Sequence, residues 1–179
     1  MNIKLKQLFR IIALILLVAS VLTIVVFTGF TGDESNQTSQ WLAKKIENFV
    51  GNHFKINRND YFWRSTLNVI LRKLGHFLEF TLLGMTASVF FILILKKKWI
   101  SSISAFVLSS LMALSDEFRQ FFVSGRNPQW FDVKLDILGS LFGIAVTFAV
   151  WAVYSQIMRY KARVKKLEDV INQHHLEEP

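Results

Sequence analysis

The chain has 179 residues, of which 52% are hydrophobic, and a formal net charge of +8. It is too apolar for a soluble domain of this length, and its apolar residues fall in long runs, so the composition describes a membrane protein of one domain over residues 1–179. There is no Cys, which excludes disulfides and thiolate chemistry. The basic residues flank apolar runs instead of forming a patch of their own, which favours anionic lipid headgroups as partners and argues against nucleic acid.

The first ten residues carry Lys4, Lys6 and Arg10 and no acid. Residues 11–30 are then an uncharged run long enough to cross a bilayer core. It reads as an uncleaved anchor. A cleaved leader is the rival, but Thr28-Gly29-Phe30 makes a weak cleavage site. Residues 31–67 form an extracytoplasmic loop. Within it Trp41, Leu42, Ile46, Phe49, Val50 and Phe54 fall near helical spacing, with Lys44, Lys45 and Glu47 opposite. This predicts a short amphipathic helix on the membrane surface or docked on the bundle. Asn57 to Asp60 breaks it, and Tyr61, Phe62 and Trp63 read as an interfacial aromatic belt.

The second membrane helix is expected over about 68–95, with a basic entry (Arg72, Lys73), then His76 and Glu79, then an apolar run closed by Lys96-Lys97-Lys98. The third is expected over 99–122. It is rich in Ser, which suits close helix packing, and ends in Asp116, Glu117, Arg119 and Gln120. A turn at Ser124–Pro128 leads to the fourth helix, over 131–157, polar only at its start. A basic tail follows from Arg159, in which Arg163–His174 has helical character.

Charge placement orients this four-helix, all-α bundle. With both termini cytoplasmic, the inner segments hold eleven basic residues against four acids, and the rest of the chain ten against nine. His76 and Glu79, Asp116 to Gln120, and Asp132 and Asp136 then lie at one depth, on the outer side.

Spacing groups these residues further. Arg72, His76 and Glu79 follow i, i+4, i+7 and share a face. Asp116, Arg119 and Gln120 share another, with Glu117 turned partly away. Asp132 and Asp136 are one turn apart, and Asp136, Gly139 and Gly143 continue down one stripe. That Gly-x-x-x-Gly pair admits a close neighbour and directs Asp136 into the bundle. So many carboxylates cannot share a pocket ionised and alone. Lys73, Arg72, Arg119 and Arg126 neutralise them, a metal does, or some hold a proton.

Several chemistries suit this set. Glu79, Asp116 or Glu117 would serve as acid or base with His76 as partner, so these four are the catalytic candidates. Arg119 and Arg126 would hold a phosphate, and Arg72, Lys73, Gln120, Asp132 and Asp136 complete a ligand site. His76 and Glu79, with Asp116 or Asp136, would also suit a divalent cation, although no residue is assigned as a metal ligand and no cofactor is identified. A salt-bridge network that merely joins three helix ends accounts for the same residues.

At these positions the sequence resembles the VanZ-like family of small bacterial membrane proteins. The resemblance rests on Arg72-Lys73-x-x-His76-x-x-Glu79, Ser115-Asp116-Glu117-x-x-Gln120, Gly125-Arg126, and Asp132-x-x-x-Asp136-x-x-Gly139. It covers about Arg72 to Gly143 in order and spacing. One departure is the longer Asn127-Pro128-Gln129-Trp130-Phe131 after Gly125-Arg126, which bears on access to the site. The resemblance implies a four-helix protein of a Gram-positive envelope and a role in lowering susceptibility to teicoplanin-type antibiotics. It implies no reaction. Two alternatives stay open: an intramembrane enzyme acting on a lipid-linked phosphate or envelope polymer, and a small transporter or channel. The His-Asp, Lys and Arg-Pro pattern of lipid phosphatases is absent. The polar cluster lies at one end of the helices instead of the midplane, which disfavours transport.

Overall fold

The computed structural model describes residues 3–29, 37, 40–46, 61–95, 97–123 and 129–177, with the side chains of 28, 61–65 and 170–177 left aside. Four long helices account for most of these: α1 (Ile3–Thr28), α2 (Tyr61–Ile94), α3 (Lys98–Gln120) and α4 (Trp130–Glu177). Each is long and apolar enough to cross a membrane. Among the described residues there is no strand.

Helix ends differ from the expectation where polarity alone had set them. Helix α1 begins at Ile3 instead of residue 11, α2 at Tyr61 instead of 68, and α4 runs to Glu177 instead of 157. Loss of hydropathy does not end a helix; a breaker does. No Gly or Pro occurs from Tyr61 to Leu74, or between Gly143 and Pro179. Lys, Arg, Glu and Gln are good helix formers, so the basic tail continues the helix it follows. Helix α3 ends close to the expected place. Its last N–H groups turn inward at i−3, from Phe121 to Phe118, Phe122 to Arg119 and Val123 to Gln120, which tightens the final turn.

Residues 40–46 are helical, as the spacing predicted. Trp41 and Leu42 are exposed there and Ala43 is buried, while Lys45 Nζ lies 4.0 Å over the Trp41 ring. The rest of the expected amphipathic segment, from Glu47 to Asp60, lies outside the described residues.

The chain divides into two compact units, Met1–Ile144 and Ala145–Pro179. The second is the later part of α4, with Val150, Val153, Tyr154 and Ile157 exposed ahead of its basic turns. The first holds α1, α2, α3 and the start of α4. Here Arg10 Nε donates to the Leu93 carbonyl at 3.0 Å, and Ser20 and Thr86 share a hydroxyl bond of 2.9 Å. Low numbers on α1 thus meet high numbers on α2, so the two are antiparallel. Helix α3 returns from α2 through Lys97, and Ser101 Oγ donates back to the Phe91 carbonyl.

Phe80 and Leu83 of α2 and Ile24 of α1 fill the interior of this unit, and α3 meets them with small side chains. Ser101, Ala105, Ser109 and Ala113 are buried at four-residue spacing on α3, and the same stripe runs on into Asp116 and Gln120. Large apolar residues such as Leu14, Ile15, Leu82, Leu111 and Leu138 face outward. On α3, small residues within and Leu111 and Leu114 without is an arrangement of helices that pack in lipid, where close backbone approach drives association. The backbones of α2 and α4 approach closely. A Cβ on Gly139 would stand 2.5 Å from the Phe77 carbonyl oxygen, and one on Gly143 would meet the Thr81 carbonyl. The pairs 77/139 and 81/143 advance together, so α2 and α4 are parallel.

Candidate functional site

Helices α2 and α4 are parallel and α1 and α3 run against them, so one end of the unit collects the end of α1, the polar turns of α2, the end of α3 and the start of α4. The expected residues meet there. Asp116, Glu117, Gln120, Asp132 and Asp136 are all buried, and Arg72, Lys73, His76, Glu79 and Arg119 are half-buried.

Lys73 and Asp132 engage each other. Lys73 Nζ donates to Asp132 Oδ1 at 2.7 Å and lies 4.3 Å from the centre of the Phe131 ring. This joins α2 to the first turn of α4, where an acid also meets the positive end of the helix dipole. One turn deeper, His76 Nδ1 stands 3.7 Å from Asp136 Oδ1. That is beyond hydrogen-bonding distance. Asp136 is 0% exposed, and neither of its carboxylate oxygens has a hydrogen-bond partner among the described residues. Asp116 closes the group from α3. One ligand atom from each of His76, Asp116 and Asp136 lies within 4.8 Å of the others.

Gln120 is the hub on α3. Its Nε2 lies 3.3 Å from both Asp116 Oδ2 and Glu117 Oε2, and an amide has two hydrogens to give. The other Glu117 oxygen accepts the backbone N–H of Gln129. Glu117 thereby ties the end of α3 to the residue that precedes α4. The spacing had turned Glu117 away and grouped Arg119 with Asp116. The structure reverses the two: Glu117 is buried in the cluster, and Arg119 Nη2 donates to the Val25 carbonyl of α1 at 2.9 Å. Val25 lies in the last turn of α1, at the negative end of the helix dipole, and its carbonyl also accepts the Gly29 N–H at 3.3 Å. A guanidinium on a long stem reaches it easily. Arg126, with the rest of 124–128, lies outside the described residues.

A second feature was missed by the sequence reading. A cavity of about 530 Å³ opens beside the polar cluster, lined by Leu114, Ser115, Glu117, Phe118, Phe121, Gln129, Trp130 and Val133. Its walls are mostly apolar, and Phe118 packs against Phe121 and Phe122 with ring centres 6.5 and 5.4 Å apart. The sequence signal for it is the aromatic density on both sides of the turn, Phe118, Phe121, Phe122 and Trp130. Glu117 connects the two features, lining the cavity and meeting Asp116 through Gln120.

Apolar spanning helices that enclose a polar centre at one end define a membrane protein built around a buried polar site. The VanZ/LLP1 family model matches residues 11–152, and the chain belongs to that family. The match runs from α1 into α4 and includes every site residue described above. No curated protein and no solved structure matches the chain.

Proposed function

We propose that this VanZ-family protein lies in the cell membrane with both termini cytoplasmic, binds a lipid or a lipid-linked cell-wall component at its outer face, and so lowers susceptibility to teicoplanin-type glycopeptides. The observation that carries this reading is the cavity of about 530 Å³ set against the buried polar cluster. An amphipathic ligand needs such a pair of surfaces. Phe118, Phe121 and Trp130 offer a wall for an acyl or isoprenoid chain, and Glu117 and Ser115 offer acceptors for hydroxyl or amide donors of a headgroup. A pocket of this kind holds a membrane ligand without any bond being made or broken.

The test is glycopeptide susceptibility measured alongside protein abundance. Asp116→Asn, Glu79→Gln and His76→Asn are near-isosteric and remove charge or basicity at the cluster. Trp130→Ala opens the cavity at a residue 78% exposed, where folding depends little on it. Loss of protection at wild-type abundance supports the site. Loss of the protein itself from the membrane in every variant supports the polar cluster as interhelical glue and defeats the binding reading. Orientation has its own test: a reporter fused after Lys98 reports cytoplasm, and an external signal there overturns the placement of the site on the outer face.

A further inference from the structure

We infer that His76, Asp116 and Asp136 form a binding site for a first-row divalent transition cation, of the Zn²⁺ or Mn²⁺ class, that clamps α2, α3 and α4 together. The inference stands on these three side chains and does not rest on the ligand or the antibiotic role proposed above.

Three observations carry it. The first is convergence: an imidazole and two carboxylates, each from a different helix, bring one ligand atom apiece within 4.8 Å of one another. In a tetrahedral site with ligand bonds of about 2.0–2.2 Å, neighbouring ligand atoms are about 3.3–3.6 Å apart. His76 Nδ1 and Asp136 Oδ1 are already at 3.7 Å, so closing on an ion needs a contraction of about 1.5 Å at most between any two ligand atoms, within the reach of side-chain rotation. The second is the state of Asp136. It is 0% exposed, both of its oxygens lack a hydrogen bond among the described residues, and they are aimed at this group. A carboxyl stripped of water and given no donor either keeps its proton or meets a cation, and the His76 ring and Asp116 beside it supply the other ligands a cation would need.

The third is where the nearby cations go. Lys73 is engaged by Asp132, and Arg119 donates to the Val25 carbonyl. Among the described residues the ion-pair neighbour of Asp136 is the His76 ring, at a distance suited to two ligands of one ion. Gln120 meanwhile holds Asp116 Oδ2, fixing that carboxylate in the way ligating carboxylates are commonly fixed. Imidazole with carboxylates selects the borderline transition ions over Mg²⁺ and Ca²⁺, which prefer all-oxygen sets.

The experiment uses the full-length, tag-free chain in detergent, stripped with chelator and then titrated with Zn²⁺, Mn²⁺ or Mg²⁺. Bound metal is counted after desalting, and Co²⁺ substitution supplies a d–d absorption band as a direct readout of ligation. One equivalent of Zn²⁺ or Mn²⁺ is expected, with a rise in thermal midpoint on binding. Asp136→Asn is expected to weaken binding by about tenfold or more and to abolish the Co²⁺ band. Without metal, the same variant should melt no lower than the wild type, because the Asp136 carboxyl has no hydrogen bond among the described residues to lose; this separates lost ligation from lost folding. Asp116→Asn should weaken binding in the same way. Sub-stoichiometric metal in the wild type, an unchanged Co²⁺ band in Asp136→Asn, or tighter binding of Mg²⁺ than of Zn²⁺ and Mn²⁺ would each overturn the inference.

Discussion

Replacing Gly139 with Ala should destabilise this protein, although the same change in an ordinary helix stabilises it. Ala is favoured over Gly in a helix interior by about 1 kcal/mol. At Gly139 the new Cβ would stand 2.5 Å from the Phe77 carbonyl oxygen and 3.3 Å from the carbonyl carbon and Cα. These are backbone atoms of α2 and cannot swing aside. Ordinary contact begins at 3.4 Å, so α2 and α4 must part by about 1 Å. Overpacking of this kind costs about 1–3 kcal/mol. Set against the propensity gain, the expected net loss is about 1 kcal/mol. Gly143→Ala should lose more, about 2 kcal/mol by the same reckoning, because its Cβ meets the Thr81 carbonyl and stands 3.0 Å from Met85 N. Gly75 on α2 is the internal control. A Cβ there meets nothing within 4 Å, so Gly75→Ala should be neutral or stabilising by up to about 1 kcal/mol. Unfolding of the full chain by SDS titration in mixed micelles, followed by Trp fluorescence and helical circular dichroism, reads all three. If Gly139→Ala and Gly143→Ala match Gly75→Ala, the close contact of α2 and α4 is not what holds the bundle.

The Lys73–Asp132 pair invites a double-mutant cycle. Lys73→Met leaves a 7%-exposed carboxylate without its 2.7 Å partner, and adding Asp132→Asn should recover most of the loss; a coupling of about 1–2 kcal/mol is expected, and a coupling near zero would show the pair to be incidental. Arg119→Met removes the donor to the Val25 carbonyl and should cost about 1 kcal/mol while leaving metal stoichiometry unchanged, as measured on the same purified protein. A change in metal occupancy would place Arg119 in the polar cluster after all.

Four apolar runs of spanning length, a stripe of small residues on α3 and acids gathered at the helix ends are properties of composition and local period. A bilayer admits few other folds for them. The Gly-x-x-x-Gly stripe also told which way Asp136 points, because Gly139 and Gly143 can only be explained by a close neighbour, and Asp136 lies one turn above them. Helix limits were less legible: polarity was read as an end, whereas the absence of Gly and Pro lets α2 begin at Tyr61 and α4 run to Glu177.

Which partner each charged group takes was decided only in three dimensions. Spacing of i, i+3 and i, i+4 describes one helix, but Arg119 is drawn to the carbonyl end of α1, which no periodicity in α3 encodes. Lys73 had several acids in range and takes Asp132 because parallel packing of α2 and α4 sets 73 beside 132. The same packing, with α3 reversed against it, brings His76, Asp116 and Asp136 within 4.8 Å and opens the aromatic cavity beside Glu117. Sequence determines that these residues share a level in the bundle. The rotation of α2 against α4, set by backbone contact at Gly84, Gly139 and Gly143, determines which of their residues meet.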